Sequence, residues 1–159
     1  MACSSNSGSS ARRAARSRCE LFHGCPPHPV SKIVQQGFNR SFTLGHLVCK
    51  IVEQGFKRSF TGATSGRALY GKGVYFAQDA RYSMSPEFSP PDADSIRNMF
   101  LVRAVVGDVC KGVQDALTPA VRHGNQLYDS TVDDVKNPSI YVTYNDSQVY
   151  PDILIKFSQ

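Results

Sequence analysis

Four short segments of the chain carry side chains that could take part in chemistry. His23 offers an imidazole, and Gly24 after it allows the backbone to approach a ligand closely. Tyr75 stands at the start of a predicted strand after a glycine turn, and Ser83 follows at short range. The fourth segment, Pro138–Gln148, precedes the last predicted strand. Each has an ordinary structural explanation when taken alone, but their order and spacing together form a specific signature.

The elements that must position these residues are mostly strands. Apolar, β-branched and aromatic runs bounded by glycine and polar residues predict the following strands: Val74–Ala77, Met99–Val106, Ile140–Tyr144 and Val149–Phe157. A short helix is expected near Gln78–Ser83, and residues 111–138 look mostly irregular. The pattern predicts a β-rich α+β fold with few short helices.

The 159 residues suffice for one domain with a single core. The formal net charge of +5 is concentrated in four arginines before Glu20, and the later 14 basic residues nearly balance the 13 acidic ones. We therefore interpret residues 1–19 as a disordered Ser/Arg-rich tail and expect no nucleic-acid binding. Because no apolar run approaches the length of a membrane span, we expect a soluble protein without membrane partners.

A segment of the predicted domain is duplicated. Residues 31–43 recur eighteen positions later as residues 49–61, with ten of thirteen positions identical. Two copies are too few for a solenoid, so we interpret the repeat as a local tandem duplication. We expect a helix over Val30–Gln36 with Gly37 as its left-handed cap. We also expect the second copy (Lys50–Thr61) to pack in the fold, because it leads directly into the turn before Tyr75.

The cysteines do not predict a metal site. The five cysteines are an odd number and include no C-x-x-C pair, which favours reduced thiols and an intracellular protein. Cys19, Cys25 and His28 have no recognised zinc-ligand spacing, even with His46 or Cys49 as a fourth ligand. We therefore expect no metal.

Three other motifs are rejected. Residues 66–73 match the phosphate-binding loop except at Gly73, which replaces the magnesium-binding hydroxyl, and they precede a strand instead of a helix. No G-x-G-x-x-G follows a strand, as a Rossmann unit requires. No G-x-S-x-G elbow for a Ser/His/Asp triad occurs.

From Leu21 to Phe157 the chain resembles the catalytic domain of the poly(ADP-ribose) polymerase (PARP) family, especially its mono-ADP-ribosylating members. Five motifs carry the resemblance in order: Leu21-Phe22-His23-Gly24, the Gly-Phe-x-Arg-Ser of each repeat copy, Tyr70-Gly71-Lys72-Gly73-Val74-Tyr75-Phe76-Ala77, Tyr82-Ser83, and Gln148-Val149-Tyr150-Pro151. The resemblance implies the ADP-ribosyltransferase fold over residues 20–159. Because only 22 residues precede His23, it also implies a partial domain whose N-terminal part is missing.

The resemblance also implies the residues of an NAD site. His23 would bind the ribose next to nicotinamide and Tyr75 would pack against the nicotinamide ring. The carboxamide would meet the backbone of Gly24 and the side chain of Ser83, and Phe88 would stack on the other ring face. The third position of the family's His-Tyr-Glu triad falls on Ile140, so the catalytic set is His23, Tyr75 and Ile140.

Members of the family with an apolar residue at that position resemble mono-transferases, which do not elongate ADP-ribose chains. The resemblance therefore implies an NAD-dependent protein mono-ADP-ribosyltransferase without a metal, and an acceptor carboxylate that attacks the ribose directly. Its partners would be protein acceptors, and we expect a monomer in the nucleus, the cytoplasm or both. The competing hypothesis is a catalytically inactive remnant that acts as a binding module.

Overall fold

The computed structural model describes residues 18–26, 51, 54–56 and 68–158. Within these ranges the chain forms nine strands and the short α-helix α1 (Ala80–Ser83), and Ile51 and Gln54 are also helical. The strands are β1 (Arg18–Cys25), β2 (Val74–Ala77), β3 (Arg97–Val105), β4 (Val109–Lys111), β5 (Val121–His123), β6 (Gln126–Leu127), β7 (Ser130–Val132), β8 (Ile140–Thr143) and β9 (Val149–Phe157). A 3-10 helix over Asp146–Gln148 leads into β9. The predicted β-rich α+β fold with few short helices is confirmed.

Seven strands form one sheet in the order β4-β7-β8-β2-β1-β3-β9, and β5 and β6 form a separate ribbon. All neighbours are antiparallel except β4 and β7. Strand β1 lies between β2 and β3, and it pairs with β3 along its whole length, from Arg18 opposite Val105 to Cys25 opposite Asn98. The sheet thus places His23 between two strands that lie far from it in sequence.

Successive side chains of a strand point to opposite faces of the sheet, and this alternation produces two apolar clusters. The main core contains Leu21, Phe76 and Phe100. The smaller cluster contains Ala77, Ile140 and Val142, with Tyr70, Tyr75 and Tyr144 packed against it. Strand β2 contributes to both, because Val74 and Phe76 enter the main core while Tyr75 and Ala77 face the smaller cluster.

Two predicted strands, Val74–Ala77 and Val149–Phe157, have the predicted bounds, and β8 ends one residue before the predicted Ile140–Tyr144, whereas three other segments differ more. Strand β1 begins at Arg18, inside the segment interpreted as a tail, because Arg18 and Cys19 pair with β3. Strand β3 begins two residues earlier than expected. The predicted irregular region contains β5, β6 and β7, which have only two or three residues and therefore give no periodic signal.

The second copy of the duplicated segment contributes to the main core, as predicted. Ile51 and Phe56 are buried there. Gly55 has a positive φ of 72°, and its N–H donates to the carbonyl of Ile51, which ends a helical turn. The first copy, including the predicted helix over Val30–Gln36, lies outside the described residues.

The cysteines differ from the expectation of reduced thiols. Cys19 is disulfide-bonded, whereas Cys25 and Cys110 are free. Disulfide formation depends on the distance between two cysteines in the folded chain, which neither their number nor their spacing specifies. Burial raises the pKa of the Cys25 thiol to about 12, so this thiol stays protonated.

None of the helices in the described ranges has the length and apolar character needed to cross a membrane.

Gln148 lies in the 3-10 helix before β9, and its side-chain amide connects separate segments of the chain. Its Oε1 accepts from the backbone N–H groups of Tyr144 (3.2 Å) and Asn145 (2.9 Å). Its Nε2 lies within hydrogen-bond distance of three acceptors: the carbonyls of Val105 (3.3 Å) and Asp129 (3.0 Å) and the hydroxyl of Ser130 (3.3 Å). One amide therefore joins three separate segments of the chain.

We expect Gln148→Glu to lower the free energy of unfolding by about 1–3 kcal/mol, because a carboxylate cannot donate to the two carbonyls. Urea unfolding at pH 7 measures the change. Gln126→Glu, with the same charge change on the exposed strand β6, is the control and should alter stability by less than about 0.5 kcal/mol. Equal stabilities of the two variants would contradict the role of Gln148.

Candidate functional site

The candidate site begins where strands β1 and β2 separate. Their register joins Phe22 to Ala77 and does not continue to the following residues. Beyond this pair, Nδ1 of His23 lies 2.8 Å from the carbonyl oxygen of Tyr75. A side chain thus bridges the two strands where the backbone ladder stops. We call this arrangement the fork.

The fork fixes the tautomer of His23. A carbonyl oxygen can only accept, so Nδ1 must carry the proton. Burial lowers the pKa of His23 below its ordinary 6.5, and the hydrogen bond to Tyr75 opposes this effect. The ring also packs edge-on against Phe56 at 5.0 Å between centroids and lies 5.4 Å from Phe76. The imidazole is therefore neutral at pH 7, and its Nε2 is a hydrogen-bond acceptor.

One wall of the site is formed by the smaller cluster. Tyr75 and Ile140 both belong to it, on neighbouring strands where Tyr75 is opposite Val142 and Ile140 is opposite Ala77. The hydroxyl of Tyr75 donates to the carbonyl of Gly71 at 2.8 Å and accepts from the N–H of Tyr70 at 3.0 Å. Burial raises the pKa of Tyr75, so the phenol remains protonated. Its ring is what it offers to a ligand.

The other wall is formed by Gly24, Ser83 and Phe88. A Cβ on Gly24 would lie 2.7 Å from both Cβ of Phe88 and the carbonyl oxygen of Ser83, so no other residue fits without displacing backbone. Ser83 is buried at the end of α1, whose N-cap Asp79 accepts from the N–H of Arg81. The ring of Phe88 stacks on Tyr82 with 4.9 Å between centroids and 21° between planes.

The structure therefore brings the predicted residues together in three ways. Tyr75 and Ile140 share one cluster, and Gly24 lies against both Ser83 and Phe88. The imidazole of His23 packs on the side of the main core and joins Tyr75 through a backbone carbonyl. These placements are compatible with the binding roles that the family resemblance implies.

Sequence reasoning missed Asp133, which holds the turn before Ile140. Its carboxylate accepts from the N–H of Ser139 (2.9 Å), the N–H of Ile140 (3.0 Å) and the hydroxyl of Ser139. Burial alone would raise the pKa of Asp133, but these hydrogen bonds outweigh it and the pKa lies below its ordinary value. The signal was an aspartate six residues before a serine, which is too common to single out.

No group of three or more His, Cys, Asp or Glu side chains in the described ranges is arranged to hold a metal ion. Of the zinc ligands considered from the sequence, Cys19 is disulfide-bonded and Cys25 is a buried thiol of raised pKa. His28, His46 and Cys49 lie outside the described residues.

The chain is similar to known proteins over most of its length. It is 32% identical over 141 residues to protein mono-ADP-ribosyltransferase PARP14 of Homo sapiens, covering 87% of this chain and 7% of that protein. It is 37% identical over 141 residues to protein mono-ADP-ribosyltransferase PARP12 of Mus musculus, covering 87% of this chain and 17% of that protein. The chain thus spans less than a fifth of either relative.

The fold is also similar to a solved structure, the crystal structure of the PARP domain of Arabidopsis RADICAL-INDUCED CELL DEATH1. The TM-score is 0.57 at 18% identity, and the similarity covers 92% of this chain and 70% of that chain. The sequence profile of the poly(ADP-ribose) polymerase catalytic domain matches residues 5–117. This match covers well over half of the chain and includes five of the six positions of the implied NAD site and its triad, all except Ile140. We conclude that the chain belongs to the poly(ADP-ribose) polymerase catalytic domain family.

Proposed function

We propose that the chain is an NAD-dependent protein mono-ADP-ribosyltransferase, which transfers one ADP-ribose to a protein side chain and releases nicotinamide. The observation that carries the proposal is the fork. It fixes a neutral imidazole whose Nε2 is an acceptor, and it ties this imidazole to the backbone of Tyr75, whose ring belongs to the aromatic wall. A ligand that carries a hydroxyl next to a flat ring needs both groups. The mono-ADP-ribosyltransferase names of the relatives PARP14 and PARP12 support it.

Both walls suit the nicotinamide end of NAD. The rings of Tyr75 and Phe88 supply flat apolar surfaces for the nicotinamide ring. The backbone of Gly24, which has no side chain to obstruct it, and the hydroxyl of buried Ser83 would bind the carboxamide. Nε2 of His23 would accept from a ribose hydroxyl. These residues fit the substrate without a metal.

The third triad position determines how the transfer proceeds. Ile140 is 6% exposed in an apolar cluster and offers neither charge nor proton acceptor. The nearby carboxylate of Asp133 is engaged by Ser139 and Ile140. We therefore propose that an acceptor Asp or Glu carboxylate forms the new C–O bond to the ribose while the bond to nicotinamide breaks and nicotinamide keeps its electron pair. The acceptor carboxylate is already ionised, so no protein base is needed, and positioning supplies most of the acceleration.

The absence of a carboxylate at position 140 also favours a second candidate: a module that binds NAD without transfer. The two candidates share the fork and both walls, so NAD binding alone does not separate them. Incubation with labelled NAD and a carboxylate-rich protein acceptor does. Label that is stable to denaturation and released by hydroxylamine supports transfer, and binding without label supports the module.

Replacement of His23 and Tyr75 by alanine should abolish saturable NAD binding measured by calorimetry, because it removes the acceptor nitrogen and one aromatic wall. The matched control is His123→Ala with Tyr150→Phe. His123 lies on the exposed strand β5 and Tyr150 is 63% exposed on β9. The control should bind within about twofold of the original chain, as is usual for exposed substitutions.

A folded chain that gives no heat of binding would contradict the proposal. Equal binding by the alanine variant and the original chain would place the NAD site elsewhere. Far-ultraviolet circular dichroism of each variant establishes that the sheet is intact, since the carbonyl of Tyr75 loses its imidazole partner in the alanine variant.

The lowered pKa of His23 predicts a pH dependence of NAD binding. We expect constant affinity from pH 8 to about 6.5, the unperturbed histidine value, and weaker binding as the pH falls through the lower pKa of the folded state. Protonation turns Nε2 from an acceptor into a donor. Calorimetry across this range measures the effect, and affinity that rises on acidification would contradict it.

The same shift predicts the stability of the ligand-free chain. The unfolded state takes up a proton near pH 6.5 while the folded state does not, so stability falls as the pH decreases below that value. The contribution of His23 cannot exceed about 1.4 kcal/mol per pH unit. Urea unfolding between pH 7 and 5 should therefore show a smaller slope for His23→Gln, and an unchanged slope would exclude the effect.

A further inference from the structure

The turn that precedes β2 is held by two hydroxyl groups that the proposed reaction does not use. We propose that Thr131 and Tyr144 are positioning residues. Their hydroxyls hold the carbonyl of Tyr70, and through the turn 70–73 they fix the ring of Tyr75 against which nicotinamide would pack. This inference rests on the proposed function and adds two residues that act through Tyr75.

The orientation of Tyr75 is set by the turn. Its hydroxyl is bonded on both sides to turn backbone, accepting from the N–H of Tyr70 and donating to the carbonyl of Gly71. A shift of the turn would therefore carry the hydroxyl end of the ring with it. The other end of the residue is fixed in β2, with Tyr75 opposite Val142 of β8. The turn controls the part of the ring that the strand leaves free.

Two hydroxyl groups, one on β7 and one just after β8, hold the turn in place. Oγ1 of Thr131 donates to the carbonyl of Tyr70 at 2.6 Å, and the hydroxyl of Tyr144 donates to the same oxygen at 3.2 Å. The two hydroxyl oxygens are 3.1 Å apart. Thr131 is 2% exposed, so water cannot readily replace its hydrogen bond.

The packing around the turn leaves no room for adjustment. Gly71 has a φ of 115°, and a Cβ on it would lie 1.8 Å from the hydroxyl oxygen of Tyr144. A Cβ on Gly112 would lie 2.4 Å from the carbonyl oxygen of Tyr70. The N–H of Lys72 donates to the carbonyl of Ala116 at 2.7 Å. Because these close contacts confine the turn, the two hydroxyls define one position for it.

Removal of either hydroxyl with little change of shape tests this inference. We expect Thr131→Val and Tyr144→Phe to weaken NAD binding about 3- to 10-fold each, which is the loss expected for a single hydrogen bond. Thr131→Ser keeps the hydroxyl and should bind within about twofold of the original chain. The control is Tyr150→Phe, which removes a hydroxyl on β9, at the opposite edge of the sheet from β7.

A double-mutant cycle separates positioning from general destabilisation. In a Tyr75→Phe background the ring is already detached from the turn, so Thr131→Val and Tyr144→Phe should lower affinity less than about twofold further. The same 3- to 10-fold loss in that background would show that the hydroxyls do not act through Tyr75 and would overturn the inference. Original affinity in both single variants would also overturn it.

Amide hydrogen exchange makes the test independent of NAD. The N–H of Tyr70 bonds to the hydroxyl of Tyr75, so it reports on the contact between turn and ring. We expect about tenfold faster exchange at Tyr70 in Thr131→Val and Tyr144→Phe, and no change in Tyr150→Phe. If the original chain fails to bind NAD, the proposed function fails. Unchanged exchange at Tyr70 in both variants would separately overturn the inference that Thr131 and Tyr144 position the turn.

Discussion

The hydrogen bond from the imidazole of His23 to the carbonyl of Tyr75 is the constraint on which the site depends. It stands where the ladder between β1 and β2 ends, and a side chain there replaces a backbone partner. A backbone bond would have closed the gap between the strands. The imidazole keeps the strands joined while leaving one ring nitrogen free to accept. The same contact therefore stabilises the sheet and prepares the site.

Because side chains alternate along each strand, one face of the sheet packs into the main core and the other face carries the smaller cluster. Phe76 and Tyr141 pack into the main core, and their neighbours Tyr75 and Ile140 face the other cluster. A register shift of one residue would exchange these roles, so core packing and site geometry are specified together. The apolar residue at position 140 also matches its surroundings, since a carboxylate would be placed among Ala77, Val142 and aromatic rings.

The sequence predicted the parts of this molecule that leave a local pattern. Strands β2 and β9 follow from β-branched and aromatic runs, and the fold class follows from their abundance. The short strands β5 to β7 were missed because two or three residues show no period. Family motifs indicated His23, Tyr75 and Ser83. They could not indicate Thr131, whose hydroxyl bonds a carbonyl 61 residues away, because such a contact depends on the folded path.

The position of β1 in the sheet has a consequence for how the domain is assembled. Arg18 pairs with Val105 and Cys25 with Asn98, so the partners of β1 on strand β3 lie more than seventy residues further along the chain. Closing such long loops precedes the stabilising contacts and makes folding slow. The fork is a long-range contact as well, since His23 and Tyr75 lie 52 positions apart in the sequence. The geometry of the candidate site therefore depends on long-range strand pairing, and loss of β3 would remove the longest pairing of β1 without removing a single residue of the site.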